Sequence, residues 1–340
     1  MAKILLIINK SSGIGHDSGI LDSLGETIRK SFPRDYKIKI ASNHSEIKSF
    51  IQDYLNKNLT GNITIIVAGG GGTLRAVIEG IYQSRIPLSR VKIATLRMGS
   101  GNVFAKNLGI KPEPIEGLKG IIDSIKKSRT IKGSIILCES PDGKHKNKRL
   151  RYVAATLGGL GQFGSIPDDL KRFHEKFPSI RKLFVRILGI EKFTDIEYGI
   201  ALFSRIIRCA FNRRRCEYIE VSFKGKKESF ALLSGVILNF PLKALPFNPE
   251  LSLEDKKLVC YLIPRRDFLS GIMMLSKGWL LENAKEYTID KKNPLRIKLL
   301  DRESSGFFLD EDPLSFYNQV EIRYGGELNF VAGINYKTRG

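Results

Sequence analysis

The chain has 340 residues, 42% hydrophobic and 27% charged, the composition of an ordinary globular protein without low-complexity tracts or a detectable internal repeat. That length predicts two cores, and 56 lysines and arginines against 35 acids give a formal net charge of +21 that calls for an anionic partner or surface. Cys138, Cys209, Cys216 and Cys260 include no C-x-x-C pair, and with four scattered histidines they exclude zinc and iron–sulfur spacing.

Alternation of strand and helix patterns opens the chain, with strands near 3–9, 36–41, 62–68 and 90–96. Such alternation predicts a doubly wound α/β domain. A loop of Asn9, Lys10, Ser11, Ser12 and Gly13 follows the first strand. The third strand, with Ile63, Ile65, Ile66 and Val67, runs into four glycines, Gly69 to Gly72, then Thr73 and the helix-patterned Leu74, Val77, Ile78 and Ile81. Glycines there are expected to admit positive φ and to bring amide N–H groups close to a ligand, while the helix points its positive dipole end at the same space. The fourth strand leads into Gly99, Ser100, Gly101 and Asn102. In a parallel sheet all three loops open at the carboxyl ends of the strands, where such sheets bind ligands, and a nucleotide phosphate is the expected guest. The lysine and hydroxyl that close a P-loop are absent after Gly72, so the phosphate logic is of another kind.

Beyond about residue 130 short strands dominate: 131–138, 150–156, 218–223, 230–239, 258–263, 295–300 and 320–324. They predict a mostly antiparallel β domain, interrupted by a helical insert at about 168–212. The insert carries two amphipathic stretches, one through Ile180, Leu183, Phe184, Ile187 and Leu188, the other through Phe203, Ile206, Ile207, Ala210 and Phe211. Arg205, Arg208, Arg213, Arg214 and Arg215 flank the second. Core-packed helices with a solvated basic face and a membrane-surface element both fit this pattern. No RNP aromatic motif, zinc finger or heptad-bearing basic region accompanies the charge, and no nucleic-acid partner is expected. No apolar run approaches the roughly eighteen residues that span a bilayer, and the run from Ile4 to Ile8 lacks the cleavage signal of a leader. A cytoplasmic protein is expected.

These loops carry a resemblance to the diacylglycerol kinase catalytic family, which includes bacterial lipid kinases and, more distantly, sphingosine and ceramide kinases. The family's Gly-Gly-Asp-Gly-Thr loop is matched by Gly69, Gly70, Gly71, Gly72 and Thr73. Its Gly-Thr/Ser-Gly-Asn-Asp-Phe-Ala loop is matched by Gly99, Ser100, Gly101, Asn102, Val103, Phe104 and Ala105, and its Asn-Pro-x-Ser-Gly loop by Asn9 to Gly13. Later likeness is weaker: Asn239 after a strand, then Pro249, Glu250 and Asp255, then Asp310, Glu311, Asp312 and Pro313. NAD kinases share the glycine loop, but the loop at Gly99 to Ala105 and the segment at Asp310 fit the lipid kinases better.

The resemblance implies an ATP-dependent transfer of the γ-phosphate, assisted by Mg²⁺, to a hydroxyl of a diacylglycerol-like or sphingoid lipid at an anionic membrane surface. It implies that Asn9, Ser12, Gly13, Gly69 to Thr73, Ser100, Gly101 and Asn102 hold the nucleotide and that Asp310 is the general base. It further implies domains at 1–128 and 129–326, an acyl-binding cleft between them, and a segment 327–340 that can return to the first. Four positions depart from the pattern: Gly71 and Val103 replace aspartates, Ala76 replaces a glutamate, and Glu311 replaces glycine. Glu79, three residues after Ala76 and so on nearly the same helical face, and Asp312 are the remaining metal candidates. A catalytically weakened member that binds nucleotide or lipid without turnover is therefore a second reading. A homodimer is among the assemblies the sequence leaves open.

Overall fold

The computed structural model describes residues 3–13, 17–99, 102–143, 148–178, 216–241, 250–265, 282–310 and 312–336, with isolated positions at 187, 196–197, 199–201, 204–205 and 278. The chain forms two compact units, Met1–Gly133 with Glu327–Gly340, and Ser134–Gly326.

In the first unit, β1 (Lys3–Asn9), β2 (Tyr36–Ala41), β3 (Ile63–Gly69) and β4 (Val91–Arg97) are joined by the end of β15 (Gln319–Val331). They lie in the order β2–β1–β3–β4–β15, and every pairing is parallel. Every residue of β3 and all but the first of β1 are buried, as expected of strands covered on both faces. β2, at the sheet's edge, is only partly buried. Right-handed crossovers place α1 (Ser18–Ser31) on one face and α2 (His44–Lys57) and α3 (Gly71–Gln83) on the other. Accordingly α2 packs on α3, and α1 packs on α5 (Pro114–Lys126). A short α4 (Val103–Asn107) lies between β4 and α5.

Strand order reverses between β1 and β3, because the crossover after β1 runs one way and the crossover after β3 the other. Ligands of open parallel sheets bind at that reversal, at the carboxyl ends. The chain from Glu327 returns to this unit: Asn329 and Phe330 pair with Lys92 and Ile93, and the ring of Phe330 meets Phe104 edge-on at 4.8 Å.

The second unit is antiparallel apart from short connections. Its strands are the greater part of β5 (Thr130–Pro141), then β6 (Arg149–Ala154), β7 (Leu157–Leu160), β8 (Glu217–Phe223), β9 (Lys226–Leu238), β10 (Leu258–Pro264), β11 (Lys285–Ile289), β12 (Leu295–Leu299), β13 (Ser304–Leu309) and β14 (Asp312–Tyr317). They run β14–β13–β7–β9–β8–β12–β15, with β10 and β11 extending from β9 and with β5 and β6 paired beside β15. Alternating inward residues build one core, including Ile136, Ile219, Val221, Ile237, Leu258, Ile297, Phe307 and Ile322. A one-turn α6 (Gly161–Gly164) and α7 (Ile166–Lys176) follow β7.

Most of the predicted insert, including both amphipathic stretches except Ile187, lies outside the described residues, as do Arg208, Arg213, Arg214 and Arg215. Ile187 is 65% exposed. Arg205 is placed, and its guanidinium grips both oxygens of Asp169 at 2.5 and 2.7 Å.

Candidate nucleotide-phosphate site

At the β1/β3 reversal the loops meet backbone to backbone. Ser12 Oγ accepts the Gly70 N–H at 2.9 Å, and Asn9 Nδ2 donates to Thr73 Oγ1 at 2.9 Å. Asn9 Oδ1 also accepts the Ser11 N–H at 3.0 Å, which folds the first loop back onto its own strand. The third loop is closed by Asn102, whose Oδ1 accepts the Gly99 N–H while its Nδ2 donates to the Gly99 carbonyl, both at 2.8 Å. Asn9, Asn102 and Thr73 are all buried. Ser100 and Gly101 lie outside the described residues.

The glycines act through space rather than through φ. Positive φ was expected across Gly69 to Gly72, yet none of the four has it; in these loops it occurs at Gly13 (+48°) and at Asn102 (+53°). A Cβ at Gly99 would lie 2.3 Å from the Cα of Gly70, and one at Gly13 would lie 2.1 Å from the Met98 carbonyl oxygen. One at Gly69 would meet the Thr73 side chain at 2.5 Å. Three strand ends can converge only because side chains are missing at the crossing points.

α3 begins in this crowded corner with Gly70 as its N-cap and Gly71 as its first residue, without a side-chain cap and without an acid in its first turn. Three other described helices differ: Asp17 caps α1, Asn43 caps α2 and Glu113 caps α5. The start of α3 therefore presents first-turn amides and the positive end of the helix dipole, which suit a phosphate oxygen. Arg97, at the end of β4 opposite Gly69 in the register, adds a cation to this strand edge that the sequence reading passed over.

Of the metal candidates, Glu79 is 6% exposed and its carboxylate is held by Arg75 at (i, i+4), with Lys48 of α2 at 3.5 Å. It stands eight residues into α3, about 12 Å along the axis from the amides. Arg75 was legible as a partner from its spacing, since residues four apart share a helix face. Asp312 is half-buried at the start of β14, in register with Leu309. Among the described residues no three His, Cys, Asp or Glu side chains gather as a metal site. With Gly71, Ala76 and Val103 at the family's acid positions, this chain's residues do not fit a carboxylate-held Mg²⁺.

In the second unit Asp310 is fully buried, with φ +49°. Its Oδ1 accepts the Thr156 N–H at 2.8 Å, the Thr156 hydroxyl and the Leu157 N–H at 3.4 Å. Oδ2 accepts the Ala155 N–H at 2.8 Å. Burial pushes its carboxyl up to about 6, against the pull of these donors. Asn239, also buried, donates to the carbonyls of Ser134 and Ala155 at 2.7 and 2.6 Å, so both residues brace the turn from β6 to β7. Nothing in the sequence marked Thr156 as Asp310's partner. Asp255 accepts the Ser252 N–H at 3.0 Å in a local turn, while Pro249 and Glu311 lie outside the described residues.

Residues 3–133 match the family model of the diacylglycerol kinase catalytic domain. Among solved structures, a Bacillus anthracis protein assigned to the diacylglycerol kinases aligns over 98% of this chain and 96% of its own, at 18% identity and a TM-score of 0.67. A diacylglycerol kinase from the same organism aligns over 98% of both chains at 16% identity and a TM-score of 0.61. Yeast NADH kinase aligns over 99% of this chain and 89% of its own, at 10% identity and a TM-score of 0.51. At such identities these likenesses speak for the fold. No curated protein sequence matches the chain. Loop order, the strand reversal and the family match coincide in one place: residues 3–133 are similar to the diacylglycerol kinase catalytic domain.

Proposed function

We propose that the chain is an ATP-dependent lipid kinase that moves the γ-phosphate to the hydroxyl of a diacylglycerol-like or sphingoid lipid at an anionic membrane surface. The observation that carries this reading is the uncapped start of α3, set at the β1/β3 reversal beside Ser12 and the loop closed by Asn102. Amides of Gly71, Gly72 and Thr73 would hold nucleotide phosphates, with Ser12 and Asn102 fixing the loops around them. The acceptor hydroxyl loses its proton as its oxygen bonds to phosphorus and ADP leaves. We assign that proton to Asp310 Oδ2, which accepts a single hydrogen bond among the described residues and so retains a free lone pair. A carboxyl raised to about 6 is a stronger base than an ordinary aspartate.

A second reading, nucleotide binding without efficient turnover, is supported by Gly71, Ala76 and Val103 at the family's acid positions and by a first turn of α3 that carries no acid. Labelled-ATP assays on vesicles containing diacylglycerol, sphingosine, ceramide or phosphatidylglycerol separate the two. Kinase activity in the wild type, rising with pH through about 6 and lost in Asp310→Asn, supports the first. ATP binding without turnover supports the second, particularly if Gly71→Asp gains activity. Gly71 is helical and first in α3, so aspartate fits its backbone and the dipole favours the charge. Failure of both forms to bind ATP removes the nucleotide site.

A further inference from the structure

The second unit carries a groove of about 610 Å³ between the β8–β9 turn and the β11–β12 turn. Its lining includes Lys224, Lys226, Lys227, Lys292, Arg296 and Lys298, against one carboxylate, Glu220. Two of these cations are committed, Lys227 to Glu220 at 3.3 Å and Arg296 to Glu321 at 2.5 Å. Lys224, Lys226, Lys292 and Lys298 are exposed and have no ion pair among the described residues. The framework is ordered: Lys224 and Gly225 take φ +48° and +76° in a two-residue hairpin turn, and Asp290 accepts the N–H groups of Lys292 and Asn293 at 2.7 and 2.9 Å. Four ammonium groups outside any ion pair among the described residues thus line one groove, with Lys224 in the field of Asp290.

We propose that this groove docks the protein on an anionic bilayer leaflet, and the proposal rests on the lipid-kinase reading above. Exposed lysines in the two turns (Lys224, Lys292) and on the adjoining strands (Lys226, Lys298), with no buried arginine among the lining residues, suit a field of headgroup charges better than one tightly caged phosphate. Single-stranded nucleic acid would need an aromatic platform. Phe223, the groove's aromatic residue, has the Lys224 ammonium 5.3 Å over its ring and the Tyr287 ring against it at 5.5 Å. The site differs from the basic insert: there the described arginine, Arg205, is engaged by Asp169.

The test is cosedimentation with vesicles of phosphatidylcholine alone or mixed with phosphatidylglycerol. It compares the wild type, a groove variant (Lys226→Gln, Lys292→Gln, Lys298→Gln) and a charge-matched control on the first unit (Lys57→Gln, Lys126→Gln, Lys132→Gln). Each basic residue at an anionic surface is worth about fivefold in affinity, so the groove variant should bind mixed vesicles about 100-fold more weakly. The control should lose far less, and thermal melts of all three should coincide. Equal loss in both variants, no loss in either, or no preference of the wild type for anionic vesicles overturns the proposal. So does pyrophosphate or a single-stranded oligonucleotide binding the wild type more tightly than vesicles do, with loss in the groove variant. Phosphorylation of a short-chain diacylglycerol in neutral detergent micelles reads the kinase activity without a bilayer, so failed docking and failed catalysis are told apart.

Discussion

At the scale of single residues, the site is built from what is missing. Gly99 and Gly70 touch at their backbones, so Gly99→Ala must push two loops apart. Overpacking of this kind costs about 1–3 kcal/mol, and the variant is expected to melt lower and to lose nucleotide binding in titration calorimetry. Asp310 gives a pH signature. Its folded-state carboxyl lies near 6, above the ordinary aspartate value of 3.8, so the native state holds the proton more tightly than the unfolded chain. That contribution is complete below about pH 4 and is lost as pH rises through about 6. Denaturant unfolding of the wild type and Asp310→Asn between pH 4 and 7 should therefore give a stability difference that shifts against the wild type as pH rises. A difference independent of pH would contradict the assignment.

At the scale of elements, α3 separates a binding end from a packing side. Its first turn faces the loops, whereas Arg75 and Glu79, about one and two turns further on, form a buried pair joined by Lys48 from α2. Removing one member of such a pair strands the other without its counter-charge. Glu79→Gln is expected to cost about 3 kcal/mol in chemical denaturation while leaving ATP affinity unchanged. A large loss of affinity with stability intact would return Glu79 to the site. The resemblance made this glutamate a metal candidate because helix spacing gives a face but not the neighbour across it.

At the scale of the whole molecule, the first unit is completed by chain from the far end of the sequence. Leu328, Phe330 and Val331 are buried there, and burying each such side chain contributes about 1.5–3 kcal/mol. Truncation after Gly326 uncovers the edge of β4 as well, so the shortened chain should melt far lower and aggregate, as read by light scattering. Coincident melting of the truncated and full chains would overturn this role. Among the described residues no helix is long and apolar enough to cross a membrane.

How far the sequence reached depended on how local each determinant was. The strand–glycine–helix run at 63–81, the parallel α/β pattern before 130 and the change to antiparallel strands after it are written in periodicity, because 2.0- and 3.6-residue repeats follow from backbone geometry alone. The loops at Ser12, Gly70 and Asn102 were legible for the same reason, with the resemblance implying a chemistry of phosphate holding for them. The cause of the glycines was not: positive φ is a local property and was inferred, while the backbone approach that leaves no room for a Cβ at Gly99 depends on a loop 29 residues away. Asp310 read as a strand-end acid with an inherited role, yet its burial and its hold on Ala155, Thr156 and Leu157 arise from residues more than 150 positions earlier. The groove lysines read only as part of a net charge of +21, since their gathering depends on two turns brought together by strand pairing. Backbone period and residue type are fixed along the chain, whereas burial, ion-pair partners and close approach are set by what tertiary folding places alongside.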